Sequence, residues 1–226
     1  MAKFFRSRAT IDIPPIVVIG LGRFGTALSH ELMDNGVEVL GIDVGDKEVR
    51  EQVAYLTEAL IADGTDPEAL KQLGIEEVER VVVAIGSHLE ASILTASNLV
   101  EMGVKDIWAK ADSEAHARIL SQIGVHHVVR PERDTGRRVA HLLSGDFQDF
   151  AEIAEGYGVT KLSAPAAVVG KPLDPAQVWK TYRVQLVSVR QGQGQWVPLE
   201  VGAELRRSDL IVAAGSPADL EKFSRC

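Results

Sequence analysis

Cysteine is almost missing from this chain of 226 residues: Cys226 stands alone at its end and allows no intrachain disulfide, which fits a reducing compartment. Positive charge is also short. With 24 Lys and Arg against 32 Asp and Glu, the net charge is −8. No basic domain can then neutralise a run of phosphates, and a nucleic-acid partner is not expected. No apolar run approaches the roughly 18 residues that span a bilayer, and no signal-like apolar stretch opens the sequence, so a cytoplasmic protein is expected. The 6 histidines are scattered without an HxxxH pair. His126 and His127 are adjacent, and neighbours on a strand point to opposite faces, so no zinc site is indicated. A hydrophobic content of 46% with 25% charged residues leaves an ordinary globular chain rather than a disordered one. Residues 1–13 read as a tail, in which Lys3, Arg6 and Arg8 beside Phe4 and Phe5 suit either a solvated segment or contact with a membrane surface.

Glycine, by contrast, is present where it carries information. The run Val17-Val18-Ile19-Gly20-Leu21-Gly22-Arg23-Phe24-Gly25 reads as an apolar strand, a sharp turn at Gly20, a close approach of backbone to phosphate at Gly22, and tight helix packing at Gly25. The N-terminus of the following helix offers an anion its free N–H groups and positive dipole end. Asp43 ends a second apolar run near the spacing at which a carboxylate accepts hydrogen bonds from ribose hydroxyls. Strand, glycine turn, helix and acid in this order predict a nucleotide site; the plainer alternative has the glycines serving only turn and packing.

Short apolar runs alternate with amphipathic stretches along the first two thirds of the chain, the rhythm of a parallel sheet. Strands are expected at 16–19, 38–42, 59–62, 81–85, 106–109 and 127–129. Phe24, Leu28 and Leu32 form one helical stripe, and Leu89, Ile93, Ala96 and Val100 another. Gly36, Gly74, Gly103 and Gly124 follow helical stretches, where a left-handed C-cap suits glycine. The expected class is α/β: a Rossmann-like, doubly wound parallel sheet of six strands in a nucleotide-binding domain at 14–145. From 146 to 226 the pattern breaks into shorter runs punctuated by Pro165, Gly170, Pro172 and Pro175, predicting a small α+β lobe. In it, 184–189 and 195–199 read as a hairpin, 210–214 as a buried strand, and Ser216-Pro217 as a helix start.

The glycine fingerprint and Asp43 equally suit a nicotinamide-dependent reductase, and Tyr157-Gly158-Val159-Thr160-Lys161 matches a YxxxK pattern. The catalytic form of that pattern needs tyrosine and lysine one helical turn apart. Glycines flank Tyr157, and Val159, Thr160 and Leu162 follow it, a composition that predicts a strand. Residues four apart on a strand lie about 13 Å from each other, too far for the pairing.

Five segments, Gly20 to Gly25, Ala62-Asp63-Gly64-Thr65, Val83-Ala84-Ile85-Gly86, Ile107-Trp108-Ala109-Lys110-Ala111 and Arg130-Pro131-Glu132-Arg133-Asp134, resemble the regulatory subunits of Ktr-type and Trk-type potassium uptake systems. The resemblance implies the RCK layout, a TrkA-N nucleotide-binding lobe followed by an RCK-C lobe. It implies a non-enzymatic gating subunit, cytoplasmic and peripheral to the inner face of the cell membrane. It also implies a homodimer assembling into an octameric ring beneath a membrane potassium-translocating subunit, with exchange of ATP for ADP controlling ion flow. NAD or NADH remains the alternative ligand.

The same resemblance assigns Arg23 to the terminal phosphates, which a planar guanidinium binds bidentately. It matches Asp43 to the ribose acid and places Asp63 beside adenine, where a turn or N-cap role is equally open. Lys110 comes near the nucleotide, or else snorkels at a strand end. Phe24, Gly64, Ile85 and Gly86 lie at the cofactor within the matching segments. Glu132 is implied to help hold Mg²⁺ against phosphates at a dimer interface, although an acid there also suits a first helical turn. The crossover stretch with Arg137, Arg138, Val139, Leu142 and Leu143 is expected to pack between subunits. The family often has asparagine where this chain has Gly45, so a ribose contact is expected to be lost or moved to Asp46.

Overall fold

A computed structural model describes residues 13–86, 88–144 and 146–226. The expected tail, with Lys3, Phe4, Phe5, Arg6 and Arg8, lies outside the described residues apart from Ile13. By contacts the chain divides into two compact units, one ending at Pro131 and one running from Glu132 to Cys226.

The first unit alternates strands and helices: β1 (Ile16–Ile19), α1 (Arg23–Asp34), β2 (Val39–Asp43), α2 (Asp46–Gln52), β3 (Glu58–Ile61) and α3 (Pro67–Gln72). After a 3-10 turn at Ile75–Glu77 come β4 (Arg80–Val83), α4 (Leu89–Glu101), β5 (Asp106–Lys110), α5 (Glu114–Ile123) and β6 (His127–Val129). The strands form one parallel sheet in the order β3-β2-β1-β4-β5-β6. This is the doubly wound order expected from the sequence, and it reverses between β1 and β4, where such sheets open a crevice at the carboxyl ends of their strands.

Continuous apolar strands arise because both sheet faces are covered. Val17, Ile19, Val81 and Val83 enter one buried cluster, while Ile16, Val18, Val39 and Val82 enter another. Side chains alternate in direction, so one strand feeds two cores. Local signals set the helix ends. Ser113 caps α5 through the His116 N–H, Asp66 caps α3 ahead of Pro67, and Gly36, Gly74, Gly103 and Gly124 all adopt positive φ, as their places after helical stretches predict.

The second unit contains α6 (Pro131–Ser144), β7 (Phe147–Ala154), β8 (Tyr157–Ser163), α7 (Pro175–Tyr182), β9 (Gln185–Arg190), β10 (Trp196–Pro198), β11 (Leu210–Gly215) and α8 (Pro217–Ser224). The division by contacts therefore falls at the start of α6, whereas the compositional change falls at its end. The sheet order is β10-β9-β11-β8-β7, antiparallel throughout, over a core that includes Phe150, Leu162, Ile211 and Phe223. The hairpin β9–β10 and the Ser216 cap follow the sequence pattern.

Two elements do not. In β7 the register shifts between Phe147 and Asp149, so Phe147 and Phe150, three residues apart, are both buried and the period of two that marks a strand is broken. At α7, Pro175, expected only to punctuate short runs, starts a helix: Asp174 accepts hydrogen bonds from the Ala176 and Gln177 N–H groups, with proline in the first turn.

Candidate functional site

The crevice between β1 and β4 is built on glycine. Gly20 has φ +102°, and a side chain there would press against the Ala84 and Ile85 backbone at 3.1 Å. A Cβ on Gly25 would stand 1.8 Å from the Gly20 carbonyl oxygen, so the turn closes only without one. Gly22 is different. Its φ of −69° is ordinary, and a Cβ would meet no protein atom within 4 Å, so nothing within the fold requires glycine at that position. It is the N-cap of α1, yet no side chain caps the helix and no acid stands in its first turn. Arg23 and Phe24 open that turn, Phe24 packed against the core and Arg23 exposed to solvent. A cation there opposes the helix dipole unless an anion is present.

Asp43, at the end of β2, joins this loop to the next. Its Oδ2 accepts the Leu21 N–H at 2.6 Å and its Oδ1 accepts the Gly45 N–H at 2.8 Å. Each oxygen keeps a second lone pair for a ligand hydroxyl. The carboxylate is half-buried, so it both fixes the glycine turn and faces outward. Asp46 turns instead to Arg50, at 2.9 Å.

The loops after β3, β4 and β5 supply the remaining expected residues. Asp63 is exposed and accepts both the Thr65 N–H and the Thr65 hydroxyl, at 2.9 and 2.7 Å, the contacts of a turn. Gly64 is buried, and a Cβ there would lie 2.9 Å from Ile19. Beyond β4, Ile85 flanks Gly20, and a Cβ on Gly86 would lie 2.7 Å from the Lys110 Nζ. Lys110 is largely enclosed and pairs with Asp112 at 3.1 Å.

Asp112 is not among the residues expected from the sequence, although two residues apart along extended chain means the same side, which is the signal for such a pair. Beneath it sits His116, 2% exposed. Its Nδ1 faces the Asp112 N–H at 3.4 Å, and its Nε2 is buried without a hydrogen-bond partner. Burial pushes the imidazole below its ordinary value, and the Asp112 charge opposes that shift.

Glu132 stands in the first turn of α6, in the second unit. Among the described residues no three His, Cys, Asp or Glu gather to hold a metal. His126 accepts the Ile107 N–H, and His127 stacks on Trp108 at 4.2 Å. Tyr157 and Lys161 both lie on β8, an extended arrangement in which the YxxxK match has no helical geometry.

Residues 16–131 match the family model described as the TrkA-N domain. Ktr system potassium uptake protein C of Bacillus subtilis (strain 168) is 34% identical over 209 residues, 92% of this chain and 95% of that protein. Ktr system potassium uptake protein A of Vibrio alginolyticus is 34% identical over 199 residues, 88% and 90% of the two chains. A solved structure of the GsuK channel bound to NAD shares the fold over 94% of this chain and 39% of its own, with TM-score 0.66 at 14% identity. The TrkA-N domain of an Escherichia coli inner membrane protein shares the fold over 59% of this chain, with TM-score 0.50 at 24% identity.

Proposed function

The chain belongs to the TrkA-N domain family, and we propose that it is the regulatory subunit of a potassium uptake system, gating a membrane translocating partner in response to ATP or ADP. One observation carries the nucleotide part of this reading. At the reversal of strand order, an uncapped helix begins at a glycine whose Cβ position is open, beside a glycine turn that no side chain could enter. Free N–H groups, a positive dipole end and the Arg23 guanidinium suit phosphate oxygens there. Asp43, already fixed by two backbone N–H groups, suits ribose. The potassium part rests on the two relatives, each named as a Ktr system potassium uptake protein and matched over most of its length.

The reading is non-enzymatic, in line with the relatives it rests on, and the YxxxK match lies on a strand, without the helical pairing a reductase would need. A cytoplasmic protein bound to the membrane through its partner agrees with this; no helix among the described residues is long and apolar enough to cross a membrane. Under the same reading Glu132 contributes to Mg²⁺ at the phosphates of a dimer, and dimers assemble into an octameric ring. A ligand can then bias the angle between subunits by its differential affinity for two states.

The test begins with the small molecule that copurifies, released by denaturation and separated by chromatography. ADP or ATP supports gating, whereas NAD(H) together with hydride-transfer activity would replace it with the reductase. Small-angle scattering should then differ between ATP with Mg²⁺ and ADP, and Glu132→Gln should reduce the Mg²⁺-dependent part while nucleotide still binds. A monomer in both nucleotides, or identical profiles, would overturn the gating ring.

A further inference from the structure

The loop after β2 holds a second carboxylate that the nucleotide reading does not use. Glu48, in the first turn of α2, folds back so that its Oε2 lies 2.0 Å from where a Cβ on Gly45 would be, and the Asp43 Oδ1 lies 3.3 Å from the same point. The two carboxylates therefore surround one position, which is open only because residue 45 is glycine. The backbone does not demand glycine there: φ is −84°, a conformation any residue adopts. What glycine provides is space for the Glu48 side chain.

Two negative charges brought together repel unless something between them donates. No neighbouring side chain donates to both. Asp43 takes only the Leu21 and Gly45 N–H groups, Arg50 is engaged by Asp46, and Lys47 pairs with Glu51. Glu48 is half-buried and has no hydrogen-bond or ion-pair partner among the described residues. Vicinal hydroxyls are the neutral donors that fit between two acceptor-only carboxylates, one proton to each.

We infer that Glu48 is a second ribose-hydroxyl acceptor beside Asp43, and that Gly45 is present to admit it. This rests on the nucleotide reading of the site and names a specificity residue within it. Asp43 binds the hydroxyls from the strand end and Glu48 from the helix. The pair thus makes affinity depend on an intact ribose.

Calorimetric titration with ATP and with 2′,3′-dideoxy-ATP separates this role from a structural one. Glu48→Ala should weaken ATP roughly tenfold, the low end for a charge-assisted hydrogen bond, as suits a half-exposed site, and leave the dideoxy compound unchanged. Gly45→Ala should do the same without altering Glu48, because its Cβ displaces the carboxylate, and the two changes together should cost no more than either alone. Equal losses for both ligands, additive losses, or ATP binding indifferent to Glu48 would overturn the inference while leaving nucleotide binding in place. Wild-type protein that binds none of ATP, ADP and NADH would instead remove the nucleotide reading, and this inference with it.

Discussion

In the first unit the polar groups of the candidate site stand at strand ends, Asp43 closing β2 and Lys110 closing β5. In the second unit Arg137 and Arg138 of α6 pair with Glu152 and Asp149 along β7, at 2.5 and 2.6 Å. Sheet type accounts for the contrast. A parallel sheet covered on both faces leaves water only at its edges, so ligand chemistry must gather in the loops there. The antiparallel sheet has a single core cluster, and its charged residues can spread along strands and pair with a neighbouring helix. Where a chain has both kinds of sheet, a small-molecule site is to be sought at the ends of the parallel one.

The comparison breaks most completely at Gly25. Gly25→Val puts a branched side chain where even a Cβ stands 1.8 Å from the Gly20 carbonyl, a backbone clash that cannot relax locally. A loss of more than about 4 kcal/mol is expected. Hydrogen exchange should show β1 to β6 unprotected while β7 to β11 keep their protection. Loss of protection in both units would mean that they fold as one.

Asp43→Ala should come next. Two backbone N–H groups lose their acceptor, so stability should fall by about 1–3 kcal/mol, and every ribose nucleotide should bind more weakly. The sequence alone leads one to expect that only binding would suffer, since Asp43 reads as an exposed strand end. Its double hold on Leu21 and Gly45 is a tertiary feature with no local signature. By the same logic the parallel sheet was legible, because strand apolarity, glycine turns and C-caps are all local. Strand β7 is hidden by its bulge, and α7 because Pro175 among nearby prolines and glycine reads as punctuation. His116 and Glu48 are illegible as site residues, since each matters through what folding sets beside it, whereas the spacing of Lys110 and Asp112 is a local signal. Unchanged melting with weaker binding would assign Asp43 to the ligand alone.

Arg23→Ala sharpens the contrast from the ligand side, because Arg23 is exposed at a helix start that carries no acid. Removing it should slightly favour the isolated helix and yet weaken ATP by about tenfold, from one charge-assisted contact, and ADP by less. Titrations of both nucleotides would measure the difference. Equal losses would take Arg23 away from the outermost phosphate.

The smallest effect is the response to acid, which should separate the units by pH. His116 has its pKa lowered by burial, so the unfolded chain binds a proton that the folded unit resists. Stability of the first unit is then full above the ordinary imidazole value, about 6.5, and declines as pH falls below it. Asp149 is also lowered, chiefly by its hydrogen bond from Arg138. Its contribution to the second unit persists above the ordinary carboxylate range and is lost only as pH falls through its lowered folded value. Between pH 7 and 5, exchange should therefore quicken in α5 and β5 before it does in β7 and β8. His116→Asn keeps an acceptor for the Asp112 N–H and removes the titration, so it should flatten the first unit's response. Arg138→Gln should instead bring the acid response of the second unit to higher pH. Exchange that quickens equally in both units, with no change on His116→Asn, would show that neither side chain governs it.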